Sequence, residues 1–141
     1  MNEAIQPYSM ALAAVAVLVI MVLVQSFSST YLNLLKRPGM PGLAVDGSHQ
    51  DLHWRAYRAH ANSVENFSPF AATVFAGILL GANASWINAL AVVFLLARLA
   101  HWILYVMGIG AVGGGPRTIS FVAGFFANVI MVLVVLAALL F

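Results

Sequence analysis

Residues 66–97 read NFSPFAATVFAGILLGANASWINALAVVFLLA, thirty-two positions without a charged side chain. A bilayer core about 30 Å thick takes roughly 20 apolar residues per helix, so this stretch is too long for one crossing. Its middle, Gly81-Ala-Asn-Ala-Ser85, has the composition of a turn. The stretch therefore reads as the end of one membrane helix, a tight reversal, and the start of the next.

The same pattern extends outward. Glu3 is followed by 32 uncharged residues before Lys36, and a first span is expected over about Tyr8–Phe27. Beyond Ala97 the charged residues are Arg98 and Arg117, and a fourth span is expected over Arg117–Phe141. The N-terminus is acidic (Met1-Asn2-Glu3) and the first apolar run ends in Gln25-Ser-Phe-Ser-Ser29. A signal peptide has a basic start and a small-residue cleavage site, so an uncleaved first helix is expected. The expectation is an all-α integral membrane four-helix bundle, one domain over residues 1–141.

Composition agrees. Of 141 residues 63% are hydrophobic and 7% charged, where soluble domains have about 45–50% and about 25%. Mean hydropathy is +0.99 and cysteine is absent. These values exclude a soluble enzyme, a disordered tail and a disulfide scaffold. No repeat, metal-ligand cluster, nucleotide-binding glycine fingerprint or nucleic-acid patch is visible, and a net charge of +2 is too small to imply a polyanionic partner.

Orientation rests on few charges. The first loop carries Lys36 and Arg37, with Arg55 and Arg58 just beyond, and the third ends at Arg117. The second loop and both termini have no lysine or arginine. The positive-inside rule then places loops one and three in the cytoplasm and both termini outside. Lys36-Arg-Pro-Gly-Met-Pro-Gly42 ends the first helix, and Gly108-Ile-Gly-Ala-Val-Gly-Gly-Gly-Pro116 reads as a flexible third loop.

The chemistry is concentrated in His53-Trp-Arg-Ala-Tyr-Arg-Ala-His-Ala-Asn-Ser-Val-Glu-Asn-Phe-Ser-Pro-Phe70. At about 100° per residue from Arg55, Arg58 falls near 300°, Asn62 near 340°, Glu65 near 280° and Asn66 near 20°. Five polar residues thus share one face of the second helix, and His60 lies off it. From Asp51 to Gly81 the helix would be roughly 46 Å long, longer than the hydrocarbon core, so its polar end should project into the interface. Pro69 frees the Glu65 carbonyl and favours a kink. Arg98, His101 and Tyr105 share a face of the third helix. Ionisable residues entering a span are costly and mark protein-facing or functional positions. Arg98 needs a partner from another helix, and Glu65 is the expected one. The bland alternative is an interfacial helix end with snorkelling arginines and local ion pairs. Gly77/Gly81, Ala123/Ala127 and Ser120/Gly124 are small-xxx-small pairs suited to close helix approach. Arg55, Arg58, Arg98 and Arg117, with Asn62, Glu65, His101 and Tyr105, suit an anionic, peptide-like ligand, because arginine binds carboxylates bidentately.

At these residues the chain resembles the membrane-associated proteins in eicosanoid and glutathione metabolism, the MAPEG family. Arg58-Ala-His-Ala-Asn-Ser-Val-Glu65 with Phe67 and Pro69-Phe70 is similar to the family's second-helix pattern. Ala97-Arg-Leu-Ala-His-Trp-Ile-Leu-Tyr105 and Arg117-Thr-Ile-Ser-Phe121 resemble the third helix and fourth-helix start of the microsomal glutathione transferases. The resemblance implies a homotrimer in a bacterial inner membrane, glutathione as co-substrate between protomers, and a lipophilic electrophile arriving from the bilayer. It implies that Arg58, Asn62 and Glu65 hold glutathione, that Arg55, Arg98 and Tyr105 contribute, that His60 reaches a neighbouring protomer's site, and that Arg117 stabilises the thiolate. Asn66 and Phe121 stand where some members have tyrosine, Ala61 replaces a basic residue of one branch, and the third loop is longer and richer in glycine than in mammalian members. Two other functions are compatible with the residues: a non-enzymatic member binding lipid or a membrane partner, and a small transporter with Glu65 coupled to protons.

Overall fold

In a computed structural model, residues 3–36, 45–110 and 113–141 are described. They form four helices, α1 (Ser9–Lys36, after a 3-10 turn at Gln6–Tyr8), α2 (Leu52–Leu79), α3 (Ala84–Val106) and α4 (Pro116–Leu140). No strand occurs among them, and the all-α four-helix expectation holds. Arg37 and most of the first-loop motif lie outside the described residues, as do Ala111 and Val112.

Three stretches, Gln6–Lys36, Ala84–Val106 and Pro116–Leu140, are long and apolar enough to cross a membrane. The second helix is long enough, at 28 residues and about 42 Å. It is not apolar enough, because Arg55, Arg58 and Glu65 occupy its first half. The first helix runs well past the expected Phe27. Its serines do not break it, since Ser28 Oγ donates to the Val24 carbonyl at 2.7 Å, a back-bond that keeps a hydroxyl satisfied inside a helix. Pro69 stays within α2, and Thr73 Oγ1 donates to the Pro69 carbonyl at 2.7 Å.

The expected reversal lies between α2 and α3. Gly81 takes φ +66°, a backbone state open to glycine at little steric cost. Asn83 caps α3 by accepting from the Trp86 N–H at 3.2 Å. The start of α1 is tied to this turn. Tyr8 Oη donates to the Ala82 carbonyl. The Asn88 side chain accepts from Ala11 N–H at 2.9 Å and donates to the Pro7 carbonyl at 2.7 Å.

Helices α2 and α3 contact each other and both flanking helices, α1 and α4. Phe70 of α2 stacks on Phe94 of α3 with centroids 4.1 Å apart, and Leu18, Val74, Ile87 and Met131 close the core around them. Of the small-residue pairs, Gly77 and Gly124 pack inside the protomer. A Cβ at Gly77 would lie 3.1 Å from Ile87 Cδ1 and 3.2 Å from Val135 Cγ2. Gly81, by contrast, forms the turn, and a Cβ there would meet nothing within 4 Å.

Candidate polar site at one end of the bundle

The buried residues of α2 include Ala59, Ser63, Phe70, Val74 and Gly77, a face centred near 60° on the wheel used above. The polar stripe is centred some 90° away, so it straddles the border between interior and outer surface. Asn62 and Asn66 are half-buried, and Asn62 turns toward α3, whereas Arg58 and Glu65 are exposed on the outside of the bundle. His60 is half-buried, and its Nδ1 is shielded without a hydrogen-bond partner.

Arg98 is only 1% exposed. Its Nη2 donates to Asn62 Oδ1, so Asn62 rather than Glu65 bonds it. Glu65, the expected partner, acts on Arg98 through its charge alone, with no bond between the two among the described residues. The reason is geometric: Asn62 lies nearer the buried face, while Glu65 points outward. Asn66 Nδ2 donates to the Asn62 carbonyl at 2.8 Å, steadying the stripe along its own helix. Gly124 of α4 packs beside the arginine, where a Cβ would meet Arg98 Cδ in ordinary contact at 3.5 Å. Arg98 Nε and Nη1 are buried with no hydrogen-bond partner. Two edges of a buried cation are thus unsatisfied, an arrangement that strongly favours an anion beside them.

Arg117 opens α4 and is 6% exposed. Its guanidinium carbon stands 4.5 Å from the centre of the Tyr105 ring, a cation–π contact. Its carbonyl accepts from His101 Nδ1 at 3.1 Å and from Ser120 Oγ at 2.8 Å. His101, which the sequence reading grouped with the site's donors, thus pins the start of α4 to α3.

Arg55 serves the backbone. Nε donates to the Val106 carbonyl at 3.1 Å, and Nη1 donates to the carbonyls of His49 and Gln50 at 2.8 and 2.9 Å. Gly108, at φ +71°, lies against it: a Cβ there would be 3.3 Å from Arg55 Cζ. The arginine joins the entry to α2 to the exit of α3. Between these two ends and α4 lies a cavity of about 400 Å³, lined by His49, Arg55, Gly108, Gly110 and Arg117 among others.

His49 is the residue that sequence reasoning missed. Its ring packs edge-on against Trp54 at 4.3 Å and near Tyr105 at 6.0 Å. Burial, and then the positive charges of Arg117, Arg58 and Arg55, hold its pKa below the ordinary histidine value of 6.5. A histidine in an irregular loop has no periodicity to reveal it. Only the fold brings it to three arginines.

These residues fall within a match to the MAPEG family spanning residues 10–137. The chain belongs to the MAPEG family. No curated protein matches it closely enough to count as a relative. Family membership and the three apolar helices make it an integral membrane protein.

Proposed function

We propose that this MAPEG protein is a membrane-embedded glutathione-dependent transferase, with peroxidase chemistry as a variant of the same site, acting on lipophilic electrophiles. The observation that carries this reading is the Arg98 guanidinium, buried beside Asn62 with Nε and Nη1 unpartnered. A carboxylate of a peptide-like ligand matches those edges. The outward Arg58 and Glu65 support a homotrimer, since charges on the outer face of a membrane bundle favour a neighbouring protomer over lipid. In that assembly Arg58, Asn62, Glu65 and Arg98 hold glutathione. Arg55 lines the cavity, Tyr105 backs the Arg117 guanidinium, and His60 belongs to the contact with the neighbour.

Arg117 is the catalytic residue of this proposal. A free thiol with pKa about 8.5 is only a few per cent ionised at pH 7, and the thiolate is the nucleophile. A guanidinium beside sulfur favours the anion, and each unit by which it lowers the thiol pKa corresponds to about 1.4 kcal/mol. Tyr105 beneath the guanidinium and His101 on its backbone hold it in place. The electrophile enters from the bilayer, in this reading a bacterial inner membrane with both termini outside the cytoplasm.

The test is conjugation of glutathione to an activated aryl chloride by the purified protein, with Arg117→Ala alongside. Turnover that falls in the variant while assembly persists supports the proposal. Glutathione binding without any turnover would instead support the non-enzymatic reading. That alternative draws on Arg55, whose N–H groups are largely spent on backbone carbonyls.

A further inference from the structure

On the flank formed by α1 and α3, two cavities meet. The first, about 370 Å³, is apolar. Val24, Ser28 and Leu32 of α1 form one wall, Trp102 and Val106 of α3 the other, and Ala56 of α2 lines it between them. Its one α1 hydroxyl is turned back onto its own helix, Ser28 Oγ donating to the carbonyls of Val24 and Gln25. The second, about 430 Å³, shares Leu32 and is mixed in character, with Leu35 and Leu52 beside Lys36, Gln50, Asp51 and His53. Val24, Ser28, Leu32 and Lys36 recur every four residues along one face of α1, a track about 18 Å long from hydrocarbon to cation.

The polar end carries opposite charges that do not bond each other. Asp51 Oδ2 accepts from the Ser48 N–H at 2.9 Å and the Ser48 hydroxyl at 3.2 Å, which leaves Oδ1 for another donor. Those bonds, chiefly, hold the Asp51 carboxyl below its usual range, so it is an anion at neutral pH. Lys36 is exposed at the end of α1, and no hydrogen bond to it exists among the described residues. A separated cation and anion above an apolar slot match one molecule: a phospholipid with a zwitterionic, ammonium-bearing headgroup. Its phosphate faces Lys36, its ammonium faces Asp51, and an acyl chain lies against Trp102. An anionic headgroup would satisfy the lysine but meet the carboxylate unfavourably.

We infer that this flank is a binding site for a phosphatidylethanolamine-type lipid, next to the arginine cavity, with which it shares Gln50 and Met107, but independent of that cavity's assignment. The test uses the full-length protein with Trp102 as its sole tryptophan (Trp54→Phe, Trp86→Phe). It is placed in equimolar phosphatidylethanolamine and phosphatidylglycerol vesicles in which one lipid or the other carries brominated acyl chains. Trp102 fluorescence should be quenched at least twofold more by brominated phosphatidylethanolamine than by brominated phosphatidylglycerol. Lys36→Gln or Asp51→Asn should each erase the preference, and Ser28→Phe, which fills the slot, should lower quenching by both lipids. Equal quenching by the two lipids would mean ordinary boundary lipid. A phosphatidylglycerol preference lost only with Lys36 would mean a simple anion site. Absence of quenching would mean that protein covers the face. Each of these three results overturns the inference. If Ser28→Phe fails to fold, the two substitutions at the helix ends decide the matter alone.

Discussion

Arg98 holds a charge at a position only 1% exposed, with a single neutral side-chain acceptor, Asn62. Replacing this arginine with an apolar side chain of similar length removes the cost of a buried charge with two unpartnered edges, which outweighs the single hydrogen bond lost at half-buried Asn62. Arg98→Met is therefore expected to fold, and its thermal transition should be equal to or above the wild type's. Arg117 makes a different prediction. If it favours the thiolate, Arg117→Ala should lower conjugation at neutral pH by about 100-fold, the usual cost of removing one charge-stabilising group. The midpoint of the pH–rate profile should also move up toward the free-thiol value. A lower rate with an unmoved midpoint would assign Arg117 to binding rather than to ionisation. His49 supplies a third. Its folded pKa is depressed, so the neutral ring is favoured. The associated stability is present above about pH 6.5 and is lost as pH falls from there through the folded value. Its imidazole resonance should titrate below an ordinary histidine, and Arg58→Ala should move the midpoint upward by removing one neighbouring cation. A midpoint unaffected by Arg58→Ala would separate His49 from the arginine cluster.

The helices are held at the spacing that forms the site by small residues. Gly77 lets α2 meet Ile87 and Val135 at near-minimum distance, so Gly77→Leu should destabilise the protein by about 1–3 kcal/mol through overpacking. Denaturation in detergent would measure it, and an unchanged midpoint would show slack at this crossing. The extent of these helices was largely legible in the sequence. Charge gaps marked each run, and Gly81 and Asn83 marked the reversal because their backbone and capping chemistry is local. Two features were not legible. The continuation of α1 to Lys36 runs through a serine-rich stretch in which Ser28 bonds back to its own helix, and serine is equally at home in a turn. The Arg98 partner depends on which side of a helix face points inward. A 100° wheel groups Asn62 with Glu65 without saying which one the core will take.

As a whole, the molecule is a bundle with an apolar body and a polar end where α2, α3 and α4 converge. The stripe on α2 was readable as a site because so apolar a chain rarely places five polar residues on one face without a use for them. The cavity between Arg55 and Arg117 was not readable, because its walls come from a loop, a helix end and a helix start distant in sequence. Outward-facing Arg58 and Glu65 lead to a prediction at this scale: the detergent-solubilised protein should have the mass of three protomers, and reversing both charges should weaken that assembly. A monomer of full thermal stability would remove the trimer from the account. The most direct test of the central claim is a calorimetric titration of glutathione into the assembled wild-type protein and into Arg98→Met. Saturable binding to the wild type and at least a tenfold loss in a folded Arg98→Met are expected. Equal affinity in the two proteins, or no binding to the wild type, would contradict the claim.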